Sequence, residues 1–434
     1  MPIMWSRIHV ELGLNPTPLT HPMVVRAVEA GVAENVDLDW KQGLPADVEK
    51  KRWEFAKDVA MLANTRGGLI VFGVREENER AQELTAVPNG ERDRQRLRAL
   101  AHGRIRPMVD GLLIEAFDDE NGEQGLIVVF VPPSPDAPHV VGEKNEMGVP
   151  YRDGTDTRWM TESLLARAYR DRFSRRADDR VALDWLIDGL LGDLGFATWL
   201  VVSARPAAPV PPLFGRPEPE QAVSTMRAMP ALAAEIAGDS LREAAVLTQL
   251  LESAILNPRS GLRRWVIRSN YHSTDPHERI DWAVVELHHD GSVALAIRPD
   301  VFLPRDVGGE ANEAKGDVIR VPVKIVDALI VEVVALAALH VRSTGGVGTV
   351  SVRAKFHGNG GGALPMVAVD NMLGGGYVSS LFGQVPGSRA VRNGFPVEAQ
   401  FSAEDDVTAL RGAARQLADD LNHQFGIRAS SVPE

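Results

Sequence analysis

The sequence predicts an α+β fold, because segments with the period of a strand and segments with the period of a helix both recur along it. Apolar and polar residues alternate from Val36 to Lys41, whereas apolar residues return at helical spacing from Val48 to Leu62. The chain has 434 residues, more than one hydrophobic core usually organises, so we expect two domains. We place the parts as follows: an N-terminal helical extension at 1–30, a first α+β domain at 31–180, a helix and proline-rich linker at 181–221, and a second α+β domain at 222–434.

The first domain opens with a strand whose alternation puts Asp37, Asp39 and Lys41 on one polar face. A helix is expected to follow, with Asp47 as its N-cap and a basic flank beside its apolar stripe. It should end at Asn64–Gly68, because glycine adopts the left-handed conformation past a helix end. Leu69–Val74 is apolar on both faces, which predicts a central strand beside the first one.

Further elements complete this domain. Arginines are dense from Arg92 to Arg106, along a helix and its exit. Leu112–Phe117 and Leu126–Val131 alternate and are joined through Asp118–Gly122, which predicts a hairpin. A last strand and turn are expected at 149–158, and a helix from Thr161.

The second half begins after Ala204–Gln221, which contains six prolines and has the composition of a semi-rigid linker. Helical patterns cover 225–256, 321–341 and 403–425, and strand patterns lie between them, with a hairpin turn at Asp290–Gly291. None of its glycine-rich stretches continues into the Lys-Ser/Thr of a phosphate-binding loop. This half is therefore an α+β domain whose role the sequence leaves open.

Composition limits the function classes. The net charge is −12, and residues 1–180 hold 25 Lys+Arg against 30 Asp+Glu, so any nucleic-acid binding must use a local basic patch. The absence of cysteine excludes disulfides and thiolate zinc sites. We find no secretory signal at the start and no apolar run long enough to span a bilayer, and we expect a soluble cytoplasmic protein without membrane contact.

Five segments in a fixed order resemble the Schlafen AlbA domain, over about residues 30–165. They are Glu34–Lys41, Ala63–Val74, Ile105–Pro107, Val128–Pro133 with Pro138-His139, and Tyr151–Gly154 with Thr157. The resemblance implies an AlbA-like mixed sheet with flanking helices, followed here by the second α+β domain. It also implies nucleic-acid binding.

In Schlafen-like ribonucleases the family implies three acidic residues that hold Mg²⁺ or Mn²⁺. The matching catalytic candidates here are Glu34, Asp39 and either Glu76 or Glu77, with Glu34, Asp39 and Glu77 as metal ligands. Such an ion activates a water or hydroxyl and stabilises charge on the phosphate. Asp39 replaces the family's usual glutamate and Arg75 stands where an acid often follows, so a plain solvated strand face is the alternative interpretation.

Basic residues near these acids are the candidates for phosphate contacts: Lys41, Lys50, Lys51, Lys57, Arg66, Arg94, Arg98, Arg104, Arg106 and Arg152. The alternative is that the helical arginines pair with Glu91, Asp93 and other acids on an exposed surface. Three hypotheses of function stay open: a metal-dependent endoribonuclease acting on structured RNA such as tRNA, a non-catalytic DNA-binding regulator, and a sensor or assembly protein acting through its C-terminal domain. A homodimer is expected from the pairing of two such lobes in animal Schlafens.

Overall fold

The computed structural model describes residues 3–118, 125–143, 146–194, 197–210, 216–241, 246–252, 254–269, 281–299, 318–358, 364–371, 382–392 and 394–434. Their contacts divide the chain into two units, Met1–Asp178 and Asp179–Glu434. Both units combine helices with sheets, which confirms the predicted α+β class. Within these ranges, no helix is long and apolar enough to cross a membrane.

The elements of the first unit are as follows. Its helices are α1 (Arg7–Glu11), α2 (His21–Glu29), α3 (Glu49–Ala63), α4 (Glu91–Arg104) and the start of α5 (Glu162–Gly192). Its strands are β1 (Leu38–Lys41), β2 (Gly68–Phe72), β3 (Val74–Glu77), β4 (Arg80–Leu84), β5 (Ile105–Arg106), β6 (Leu113–Phe117), β7 (Leu126–Val131), β8 (Val140–Glu143), β9 (Glu146–Gly148), β10 (Pro150–Asp153) and β11 (Asp156–Trp159).

A mixed sheet with the order β1-β2-β7-β6 forms the middle of this unit. β1 lies beside β2, as predicted, and the structure shows that the two strands are parallel; β7 is antiparallel to both β2 and β6. The hairpin predicted from the alternation is therefore confirmed, although most of its turn lies outside the described residues. One face of the sheet is covered by α3 and α4 through a shared apolar core that includes Phe55, Val59, Ile70, Phe72, Leu97, Ile127 and Val129.

The two ends of α3 can be compared with the sequence prediction. Its N-cap is Val48 and not Asp47, whose carboxylate instead accepts two hydrogen bonds from Arg52. At its other end, a Cβ on Gly68 would lie 2.5 Å from the carbonyl oxygen of Asp37, and the φ of Gly68 is +151°. Glycine is required there because β2 leaves the helix directly against the start of β1.

The second unit is built on a seven-stranded sheet with the order β13-β14-β15-β16-β12-β18-β21, beside a smaller sheet β17-β19-β20. Its strands are β12 (Trp199–Pro206), β13 (Arg259–Gly261), β14 (Arg264–Arg268), β15 (Ala283–His288), β16 (Val293–Ile297), β17 (Ile319–Pro322), β18 (Thr349–His357), β19 (Met366–Asn371), β20 (Phe382–Gln384) and β21 (Val397–Ser402). Its helices are the end of α5, α6 (Pro219–Ala237), α7 (Val246–Leu251), α8 (Val323–Ser343) and α9 (Val407–Gln424). The apolar helix α8 is buried almost throughout, as its composition predicts.

The segment predicted as a helix and linker begins as the end of α5, which is helical as predicted, and then continues into a strand. Trp199–Pro206 is a strand that pairs with β16 on one side and β18 on the other. α5 runs without interruption to Gly192, across the division between the units. Most of the prolines in this segment therefore come directly after a strand of the sheet. The domain boundaries drawn from the sequence stay a prediction.

Candidate functional site

A group of charged residues lies around Asp39, between β1 and α3; Asp39 and Arg152 are buried and the others are partly buried. In the register of the sheet, Asp39 is opposite Ile70 and Lys41 is opposite Phe72, and both of those apolar residues face α3. Asp39 is only 5% exposed. The interpretation of this face as an ordinary solvated strand surface is therefore wrong for Asp39.

Each carboxylate oxygen of Asp39 faces a cation. Lys41 Nζ lies 2.6 Å from Oδ2, and Arg152 Nη2 lies 3.5 Å from Oδ1. Arg152 comes from β10, is itself 5% exposed, and is anchored by its backbone N–H, which donates to Thr65 Oγ1 over 2.9 Å. Its guanidinium is an internal charge of the domain and does not lie on the surface where a phosphate contact was predicted.

Asp58 of α3 joins this group, although it was not predicted from the sequence. Its Oδ1 lies 3.3 Å from Lys57 Nζ, and its pKa is raised by burial and by the negative charge of Asp39. The available signal was its spacing, because Asp58 lies three residues after the buried Phe55 and four before the buried Leu62, on the inward side of the helix.

Glu34 lies in the same electrostatic neighbourhood. Its Oε1 accepts the backbone N–H of Trp40 over 2.8 Å, and its pKa is raised first by burial and then by the charge of Asp39. Burial lowers the pKa of Lys41, but the charges of Asp39, Asp58 and Glu34 outweigh it, so its pKa is raised overall. We call Glu34, Asp39, Asp58, Lys41, Lys57 and Arg152 the buried charge cluster; it contains three carboxyls and three cationic side chains.

The third predicted acid lies on a hairpin that adjoins this cluster, since the backbone N–H of Glu34 donates to the carbonyl of Glu79 over 2.7 Å, but it completes no metal-holding group among the described residues. Glu76 and Glu77 are exposed on β3, which pairs with β4 in a separate two-stranded hairpin. The Glu76 carboxylate accepts the backbone N–H of Glu79 over 2.9 Å. Arg75, in the same strand, pairs with Glu83 at 2.8 Å.

The donor set does not fit a divalent metal ion. Mg²⁺ and Mn²⁺ prefer several carboxylate or carbonyl oxygens with uncompensated charge. Here both oxygens of Asp39 face cations and Oε1 of Glu34 accepts a peptide N–H. Across the described ranges, no group of three or more His, Asp or Glu is arranged to hold a metal. The predicted ligand set of Glu34, Asp39 and Glu77 is not assembled.

The basic residues predicted to contact phosphate divide into three groups. Five pair with acids: Lys41 with Asp39, Lys51 with Glu54, Lys57 with Asp58, Arg94 with Glu91 and Arg104 with Glu49. For Arg94 and Arg104 this is the alternative interpretation given for the helical arginines. Arg106 donates to the carbonyls of His102 and Ile105, and Arg152 is buried. Three make no ion pair within 4 Å in the part of the chain that is described: Lys50, Arg66 and Arg98.

A cleft of about 770 Å³ opens at the C-terminal end of α4, and it was not predicted from the sequence. Arg104, Arg106 and the ring of Tyr169 line it. Tyr169 also stacks on Phe173, with ring centroids 6.5 Å apart, and Phe173 is 63% exposed. Two guanidinium groups beside the partly buried ring of Tyr169 and the exposed ring of Phe173 are a combination that suits a phosphate backbone and its bases.

Comparisons with known proteins bear on the first unit. Residues 34–161 match the family model described as Schlafen, AlbA_2. Among solved structures, the DIP2311 protein from Corynebacterium diphtheriae is similar at 17% identity, over 32% of this chain and 29% of that one, with a TM-score of 0.23. The match thus spans less than a third of that protein's length. No curated protein matches the sequence.

Proposed function

Because residues 34–161 form a Schlafen AlbA_2 domain, a family that implies nucleic-acid binding, we propose that this chain binds RNA or DNA without cleaving it through a carboxylate-bound metal. The observation that carries the proposal is the compensation of Asp39 by Lys41 and Arg152. Of the functions considered, the non-catalytic binding protein is the one it supports best.

The charge balance of the cluster argues against metal-dependent cleavage. A divalent cation at Asp39 would have to displace the ammonium of Lys41 and would meet the guanidinium of Arg152. The cost falls mainly on Arg152, whose side chain is 2% exposed, because a divalent cation beside it would place like charges together in a poorly solvated site. The six side chains of the cluster balance in formal charge without a metal ion.

The α4 cleft is the proposed binding surface. The Arg104–Glu49 ion pair joins the end of α4 to the start of α3, so Lys50, the next residue along α3, lies at the same edge. The Glu49 side chain is 51% exposed. Ion pairs this open to solvent contribute about 0–1 kcal/mol, so a phosphate can replace Glu49 on Arg104 at little cost.

Salt-dependent binding tests this surface. We would replace Lys50, Arg104 and Arg106 together by glutamine, and compare a matched control that neutralises Arg26, Arg75 and Arg158, which are exposed elsewhere on the same unit. For the cleft variant we expect weaker binding of RNA or DNA and a log K against log[salt] slope that is smaller by about 2 to 3, since each lost phosphate contact removes about 0.7–0.9. Equal losses in both variants would show a general charge effect, and an unchanged cleft variant would place binding elsewhere.

A further inference from the structure

A second polar cavity lies wholly in the second unit, where the tips of two hairpins meet. It measures about 650 Å³. One tip is Leu262-Arg263 between β13 and β14, and the other follows His288 between β15 and β16. The backbone N–H of His289 donates to the carbonyl of Arg263 over 3.0 Å, which holds the tips together.

The lining of this cavity is strongly cationic. Arg216, Arg263 and Arg264 line it with His288, His289 and the carboxylate of Asp290. Arg264 is already committed, because its Nε lies 2.9 Å from the buried Glu286. Among the described residues, Arg216 and Arg263 have no carboxylate within 4 Å and so form no ion pair, although the acidic Asp290 lines the same cavity.

Arg216 is held in a fixed orientation. The centre of its guanidinium lies 4.6 Å from the centroid of the Trp265 ring, and its Nη2 donates to Ser260 Oγ over 2.6 Å. Stacking on an aromatic ring orders the guanidinium plane and leaves its remaining N–H groups available to a planar or tetrahedral anion. The pKa of His289, which contacts Trp265, is lowered by burial and then by the charge of Arg216.

Arg263 adopts a backbone conformation that arginine rarely takes. Its φ is +53°, in a two-residue hairpin loop where glycine or asparagine is the usual residue. A strained conformation retained at a charged residue beside a cavity is a feature of ligand-binding positions. Glycine or asparagine would form this turn more readily, so we attribute the arginine at this position to the charge of its side chain.

We propose that this cavity binds the phosphate group of a phosphorylated small molecule. Guanidinium groups bind phosphate oxygens in pairs, and two arginines that form no ion pair within the described ranges supply such donors. The volume lies within the range of small-molecule sites and exceeds what a bare phosphate occupies. Val210 and Leu262 also line the cavity, and the side chain of Leu262, which is 84% exposed, is available to contact the organic part of the ligand.

Calorimetric titration of the full chain tests this site with inorganic phosphate, adenosine monophosphate and adenosine. We expect the monophosphate to bind more tightly than phosphate, and adenosine not to bind. Arg216→Gln and Arg263→Asn should each weaken the binding of the monophosphate about tenfold or more, the loss of one charge-assisted hydrogen bond. Asparagine tolerates a positive φ, so the second variant removes the charge without adding strain to the turn.

Arg227→Gln is the matched control, because Arg227 is an exposed arginine of the same unit beside a different cavity, and it should leave the affinity unchanged. A short oligonucleotide carrying a 5′-phosphate distinguishes a chain end from a small molecule. Failure of phosphate and of the monophosphate at millimolar concentration would overturn the proposal. So would binding that both arginine variants leave intact, or binding of the oligonucleotide alone.

Discussion

Removing Arg152 should destabilise the first unit far more than removing an exposed arginine from the same hairpin. Arg152→Met keeps an unbranched side chain that can still pack, is shorter than arginine, and deletes the charge that faces Asp39 Oδ1 at 3.5 Å. Breaking a buried ion pair by removing one partner typically costs 3–5 kcal/mol. Because this distance is long and Lys41 still neutralises Asp39, we expect a loss of about 3 kcal/mol in the free energy of unfolding.

The measurement is urea denaturation of the full chain, followed by circular dichroism and by tryptophan fluorescence. Arg158→Met is the control: Arg158 pairs with Asp153 at 2.8 Å on the same hairpin, but both side chains are more than half exposed. It should lose less than about 1 kcal/mol. A second comparison combines Arg152→Met with Asp39→Leu, which replaces the pair by apolar groups and should recover part of the loss. If Arg152→Met costs no more than Arg158→Met, the buried charge cluster is not what holds this part of the domain together.

Two further predictions concern the second unit. The pKa of Glu332 is raised by burial to about 8, so between its ordinary value and pH 8 the unfolded chain binds fewer protons than the folded one and stability falls as pH rises. The pKa of His340 is lowered by burial to about 4, which acts in the opposite direction but only below its ordinary value of 6.5. Between pH 6.5 and about 8 we expect the free energy of unfolding to fall by up to about 1.4 kcal/mol per pH unit, and Glu332→Gln to remove most of this slope. A fragment 179–434 should unfold cooperatively by circular dichroism. A fragment 222–434 should not, because it lacks β12, which joins β16 to β18, and so splits the seven-stranded sheet in two. Cooperative unfolding of the shorter fragment would support the boundary predicted from the sequence.

The sequence predicted the order of elements in the first unit and the position of β2 beside β1, because alternation and glycine chemistry are local signals. It did not predict that the two strands are parallel. It did not predict that the polar face of β1 is buried. Alternation separates the two faces of a strand, but which element covers each face depends on contacts far apart in the chain. Asp39 and Arg152 are 113 residues apart, and only the folded domain brings them together.

The proline-rich segment shows a second limit of the sequence pattern. Proline composition predicted a linker, yet the residues just before most of these prolines form a strand in the middle of a sheet. A strand buried on both faces lacks alternation, so the sequence pattern of Trp199–Val202 does not distinguish it from the apolar helix that precedes it. Pairing with β16 and β18, and not local propensity, decides the structure of this segment.

The most direct test of the proposed function is to incubate the purified chain with tRNA in Mn²⁺ and to measure, in the same sample, the fraction bound and the fraction cleaved. We expect binding that weakens with salt and RNA that stays intact, with the same result in Asp39→Asn protein that remains folded. Cleavage that a chelator stops and Asp39→Asn abolishes would contradict the proposal, because it would make the carboxylate of Asp39 a metal ligand and not the centre of an internal charge network.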